Sequence, residues 1–409
     1  MARRDIKNYA AVTAAYWAFT LTDGALRMLV LLHFYRLGFS PVDLAFLFLL
    51  YEFMGVLTNL FGGWIGARFG LRLTLLSGLG VQIVALTMLS FTQPDWSVAL
   101  SVAYVMASQA LSGVAKDLTK MSSKSAIKVV VQEEGHSLLF RWVALLTGSK
   151  NALKGVGFFL GGALLAGIGF QGALLAMAGA LAVILAALIA LLNEDLGKAK
   201  TKVRRSELFS KTREINWLSA ARIFLFASRD VWFVVAVPIF LYDQLGWSFD
   251  RVGAFMALWV IGYGVVQAGA PRLLRTTDSP ETGARAALSW GLLLTGTTGL
   301  LALAMTITPS AVLLIGGLLL FGIIFAVNSA VHSFLIVAYS DSDRVVLNVG
   351  FYYMANAIGR LTGTLLSGVI FQLSGLQGTL WAAAGLMAAA VLLTGPLVGT
   401  GNRSQPESG

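Results

Sequence analysis

Long apolar runs broken by short polar turns dominate the chain. A helix needs about 20 mostly apolar residues to cross a bilayer. Twelve stretches qualify: 9–37, 43–67, 73–91, 97–115, 141–167, 172–192, 217–241, 251–271, 286–307, 311–338, 348–373 and 378–398. Turns such as Thr92-Gln93-Pro94-Asp95 and Ser374-Gly375 separate most of them. The longest polar stretch, Asn193 to Asn216, follows the sixth run. The pattern predicts an all-α integral membrane protein. A six-helix bundle (1–192) and a cytoplasmic linker (193–216) precede a second six-helix bundle with a short cytoplasmic tail (217–409).

Composition strengthens the membrane reading. Hydrophobic residues make up 57% of the 409, charged residues only 12%, and mean hydropathy is +0.77. Soluble domains carry about 25% charged residues. There are no cysteines, which excludes disulfides, iron–sulfur clusters and thiolate metal sites. His33, His136 and His332 lack metal-ligand spacing. No G-x-x-x-x-G-K-[ST], H-E-x-x-H or G-x-S-x-G string occurs. Neither an ATP-driven pump subunit nor an enzyme is expected, and no cofactor or metal is implied.

Charge changes the picture through its location. Lys and Arg number 30 against 20 acids, a net +10, a balance that on a soluble chain would point to nucleic acid. With the N-terminus inside, the inner segments carry 21 of the 30 cations, from Arg3, Arg4 and Lys7 through the linker to Arg344 and Arg403. The outer loops carry two, Arg36 and Arg251. This positive-inside bias predicts cytoplasmic termini and the lipid bilayer, not nucleic acid, as the partner. The first span is too long for a cleaved signal and contains Asp23 and Arg27. Lys116, Lys120, Lys124 and Lys128 step by four. They predict a basic stripe facing solvent or lipid headgroups, or an antechamber that gathers anions.

The chemically informative residues are charges at membrane depth. Each costs about 2.5–3.5 kcal/mol even on the lenient insertion scale. Six cations (Arg27, Lys150, Lys154, Arg222, Arg229, Arg360) face three acids (Asp23, Glu52, Asp230), a surplus of +3. Asp23 and Arg27 lie at i,i+4 and are placed to pair. Asp230 has Arg222 or Arg229 as a partner, and Glu52 has room for one more cation. Asn151 precedes Lys154 as Asn356 precedes Arg360. The surplus predicts a small polyanionic cargo held by Arg forks and Lys point charges. Asp23, Glu52 and Asp230 are candidate proton carriers. Asn328, His332, Gln109 and Gln267 fit interhelical hydrogen bonding.

Two parallel six-helix repeats with a cleft between them are the layout of the major facilitator superfamily. Gly63-Trp-Ile-Gly-Ala67-Arg68-Phe-Gly70-Leu71-Arg72 resembles its G-x-x-x-D-R-x-G-R-R conformational loop. Ala67 replaces the Asp to which an inward-state latch is attributed, and Leu71 replaces the first Arg of the closing pair.

Longer strings resemble a narrower family. YWAFTLTDGALRMLVLLHF (16–34), QALSGVAKDLTKMSSKSAIK (109–128), LTGSKNALKGVGFFLGGALLA (146–166), SAARIFLFASRDVWFVVAVPIFL (219–241) and LWVIGYGVVQAGAP (258–271) are similar to ArsJ-type organoarsenical efflux permeases. The resemblance implies export of 1-arseno-3-phosphoglycerate, made by glyceraldehyde-3-phosphate dehydrogenase when arsenate replaces phosphate. A monomer in the bacterial cytoplasmic (inner) membrane is expected. It assigns no binding residues. The alternative is transport or exchange of another small organophosphate or organic polyanion.

Overall fold

A computed structural model describes residues 3–69, 71–128, 136–192, 212–274, 279–340 and 345–398. Side chains are described over the same stretches apart from 3–10, 62–69, 71, 121–128, 136–147 and 345–347. The described backbone is helical, with no strand. Its elements are α1 (Arg3–Arg36), α2 (Pro41–Phe69), α3 (Leu71–Leu89), α4 (Val98–Lys128), α5 (His136–Leu191), α6 (Arg213–Phe233), α7 (Ala236–Asp243), α8 (Phe249–Leu273), α9 (Pro280–Ile307), α10 (Ala311–Ala338) and α11 (Val345–Val398).

Among the described residues, nine helices are long and apolar enough to cross a bilayer. Two of these, within α5 and α11, are about twice the necessary length. Each is broken by a glycine in the left-handed region, Gly169 (φ 72) and Gly375 (φ 64). Only glycine adopts that conformation without a steric penalty. Dividing the two helices there and adding α1 is consistent with the twelve predicted spans. The predicted turn at Ser374-Gly375 is one of the two breaks.

The seventh span is a helix pair, α6 and α7. Pro238 removes an N–H and clashes with the carbonyl four residues earlier. The chain opens at Val234–Val235. The Ser367 hydroxyl on α11 accepts from the backbone N–H groups of Val235 and Ala236, both at 3.2 Å. Helix starts carry local caps. Ser40 and Asp43 close a reciprocal pair at the head of α2, and Ser279 and Thr282 do so at α9, each followed by a proline.

The chain forms two compact units. Unit 1 comprises Met1–Glu133, Ala152–Leu208 and Pro238–Ile261, and unit 2 comprises Glu134–Asn151, Phe209–Val237 and Gly262–Gly409. In unit 1, α1 lies against the middle of α5. A Cβ on Gly24 would strike the Lys154 carbonyl, and one on Gly157 would strike that of Leu21. In unit 2, α6 meets α11 in the same way. A Cβ on Gly359 would strike the Ile223 carbonyl, and one on Gly363 would lie 2.8 Å from Asp230 Cβ. Small residues drive such packing where lipid offers no hydrophobic incentive to associate.

Candidate functional site

The α1–α5 seam sets the charges of unit 1. It brings Lys154 Nζ to 3.3 Å from Asp23 Oδ2, and the Tyr51 hydroxyl donates to Asp23 Oδ1. Arg27, one turn along α1, reaches α2, where both of its terminal nitrogens lie 3.4 Å from Glu52 Oε1. The i,i+4 pairing expected between Asp23 and Arg27 is thus replaced by two pairs across helices. Phe48 adds a ring face 5.2 Å from the Arg27 guanidinium. Asp23, Leu26, Arg27, Phe48, Tyr51 and Gln109 line a cavity of about 10 Å³, room for about one water molecule. Each of these two cations thus has its own acid.

Unit 2 treats charge differently. Asp230, 1% exposed on α6, is gripped by its neighbour Arg229, whose Nε donates to Oδ1 at 2.6 Å and whose Nη2 lies 2.5 Å from the same oxygen. Arg360 of α11 approaches the other oxygen, Nε to Oδ2, at 3.6 Å. Arg222 meets no carboxylate among the described residues. Its Nε donates to Asn356 Oδ1 at 3.2 Å and its Nη1 to the Ser329 carbonyl at 3.3 Å.

Aromatic faces hold the arginines in place. The Arg222 guanidinium lies 4.0 Å from the Phe226 ring centre and 4.9 Å from that of Tyr352. Arg229 sits 4.7 Å from Phe226 and 5.5 Å from Phe325. Phe226 therefore serves two arginines. Such contacts are worth about 0.5–2 kcal/mol each and leave the charge itself in place. A polar chain continues the cluster. Asn151 donates to Gln267 at 2.7 Å, Gln267 reaches Ser329 Oγ at 3.4 Å, and Tyr263 donates to that oxygen at 3.2 Å.

The nine charges predicted at depth divide unevenly. Arg27 and Lys154 with Asp23 and Glu52 belong to unit 1, two against two. Arg222, Arg229, Arg360 and Lys150 with Asp230 belong to unit 2, four against one. The whole surplus of +3 falls in unit 2. Lys150 and Lys154, neighbours on one helix face in the sequence, belong to different units.

A third cluster escaped the sequence reading. The apolar run of the fourth span ends at residue 115, but α4 continues to Lys128. Asp117, fully buried, accepts from Thr58 at 2.6 Å and pairs with Lys120 at 3.5 Å. Lys120 also donates to Asn59 at 2.7 Å. Lys116 lies 3.9 Å over the Tyr51 ring. Of the predicted basic stripe, Lys120 is therefore buried and paired to an acid, and Lys116 is half-buried. The side chains of Lys124 and Lys128 lie outside the described residues. The i,i+3 spacing of Asp117 and Lys120 was the available signal.

In the conformational loop, Arg72 donates from Nη2 to the Ile189 carbonyl at 3.2 Å. This places a cation at the C-terminal end of α5, where the helix dipole favours it. Gly63 lies within α2, whereas Gly70 and the side chain of Arg68 lie outside the described residues.

The chain matches the Major Facilitator Superfamily over residues 11–273 and again over 218–408. Among curated proteins none matches it. Solved structures similar to it include the human organic anion transporter MFSD10 (TETRAN), at 15% identity and TM-score 0.65 over 95% of this chain and 99% of that one. A bacterial homologue of the iron transporter ferroportin, in an outward-facing state, is similar at 17% identity and TM-score 0.65 over the same shares. At such identities the likeness speaks for the fold alone. The two family matches together span nearly the whole chain, and the chain belongs to the major facilitator superfamily as a multi-pass membrane transporter.

Proposed function

We propose that this transporter exports 1-arseno-3-phosphoglycerate from the bacterial cytoplasm by alternating access. The halves 1–192 and 217–409 would move about the linker 193–216, with both termini cytoplasmic. One observation carries the reading: in unit 2 two arginines, Arg229 and Arg360, share a single carboxylate, Asp230, while a third, Arg222, is held by the neutral Asn356 amide and the Ser329 carbonyl. That arrangement suits a cargo bearing several anionic oxygens, because guanidinium forks match phosphate and arsenate geometry. The resemblance of residues 16–34, 109–128, 146–166, 219–241 and 258–271 to organoarsenical permeases supplies the arsenate end. The absence of cysteine is no obstacle, since a pentavalent arsenic oxyanion needs hydrogen-bond donors rather than thiolates.

Energetics favour the outward direction. A charge crossing the membrane gains about 2.3 kcal/mol per 100 mV, so a trianion leaving an inside-negative cell gains about 7 kcal/mol per 100 mV.

The test is arsenate challenge of cells with and without glyceraldehyde-3-phosphate dehydrogenase. Cells carrying both proteins should hold less arsenic and resist arsenate. Equal resistance with and without the transporter would overturn the reading. Transport of 3-phosphoglycerate that is indifferent to arsenate metabolism would replace it with organophosphate exchange.

A further inference from the structure

Asp230 combines three properties that a structural anchor does not require. It is almost completely buried. Its oxygens are unequally used: Oδ1 takes both Arg229 contacts, while Oδ2 accepts no hydrogen bond among the described residues and meets Arg360 only at ion-pair range, 3.6 Å. It is also wedged in place, because Gly363 lets α11 approach so closely that an added Cβ would lie 2.8 Å from Asp230 Cβ and 2.9 Å from the Ala227 carbonyl. A buried carboxylate oxygen that accepts no hydrogen bond and is met only at ion-pair range is costly. The carboxylate in turn offsets the cost of the two guanidinium groups beside it at membrane depth.

A carboxylate offers an arginine the same pair of oxygens that one face of a phosphate or arsenate offers. We propose that Asp230 is a built-in stand-in for the cargo: its carboxylate and a tetrahedral oxyanion of the cargo are alternative ligands of Arg229 and Arg360. The inference rests on the anion-carrier reading above and deepens it. In the unloaded transporter the carboxylate offsets the arginines. A phosphate or arsenate ester, with more oxygens and more charge, displaces it. A monocarboxylate offers nothing that Asp230 does not already supply, and is rejected. Asp230 thus sets a threshold that selects phosphate and arsenate esters over simple organic acids.

The experiment is equilibrium binding of 3-phosphoglycerate and of lactate to the purified full-length protein. Asp230→Asn removes the competitor while keeping the side chain's shape. It should tighten 3-phosphoglycerate binding at least tenfold and admit lactate. Asp230→Glu reaches further toward Arg360 and should weaken 3-phosphoglycerate binding several-fold. It decides the matter alone if the Asn variant does not insert. Unchanged or weaker binding by Asp230→Asn, or unchanged or tighter binding by Asp230→Glu, overturns the inference and leaves the carrier reading standing. No binding by the natural protein, or equal binding by Arg360→Ala, overturns the carrier reading and this inference with it.

Discussion

Unit 1 and unit 2 use the same device and reach opposite electrostatic results. In each, a glycine seam brings an acid on one helix against a cation on another: Asp23 with Lys154 across α1 and α5, Asp230 with Arg360 across α6 and α11. Around the first pair, a second acid, Glu52, compensates the second cation, Arg27. In unit 2 Arg222 meets no acid among the described residues, and is held instead by an amide oxygen, a carbonyl and two aromatic faces. The lesson is that net charge at depth is less informative than its partition. Balanced pairs hold helices together, whereas an arginine excess dressed with neutral groups keeps its field available to an anion.

The comparison breaks most sharply on stability. Arg27→Ala breaks the ion pair of Glu52, a fully buried acid, and should destabilise the protein by about 3–5 kcal/mol. Thermal unfolding in detergent checks this. The double change Arg27→Met with Glu52→Leu should recover most of the loss, since an apolar pair replaces a buried ion pair at little cost. Failure to recover would mean that unit 1 holds more than a structural pair.

Arg360→Ala probes unit 2. It should weaken anion binding by about 2–5 kcal/mol, roughly 30-fold to several thousand-fold, while the transporter still inserts. Gly363→Ala acts one step removed. Its Cβ must push α11 away from Asp230, at about 1–3 kcal/mol of overpacking, and transport should fall with stability. The same change at Gly157 should lower stability with a smaller effect on anion affinity. Smallest is Phe226→Leu, which removes a ring serving Arg222 and Arg229. It should weaken binding by about 0.5–2 kcal/mol, measurable by titration, with no change in topology.

The helical plan was legible because a bilayer demands long apolar runs, and such runs survive in a single sequence. The Ser374-Gly375 turn was legible because glycine alone adopts the needed backbone conformation. The ionic partners were only partly legible. Asp23 and Arg27 satisfy i,i+4 spacing, but which pairs form depends on which helices touch, and the seam at Gly24 and Gly157 delivers Lys154 to Asp23. Asp117 was lost for a related reason. The apolar run stops at the first charged residues, although α4 carries them onward into a buried setting against Thr58 and Asn59. The excess of cations was visible in composition, whereas its confinement to unit 2 required the fold.

The most direct test of the central claim is binding of 3-phosphoglycerate to three purified proteins: the natural chain, Arg360→Ala, and the Arg27→Met/Glu52→Leu double variant. The account predicts comparable affinity for the natural chain and the unit 1 variant, with affinity at least about 30-fold weaker in Arg360→Ala. Retained affinity in Arg360→Ala, or binding lost only in the unit 1 variant, would contradict it.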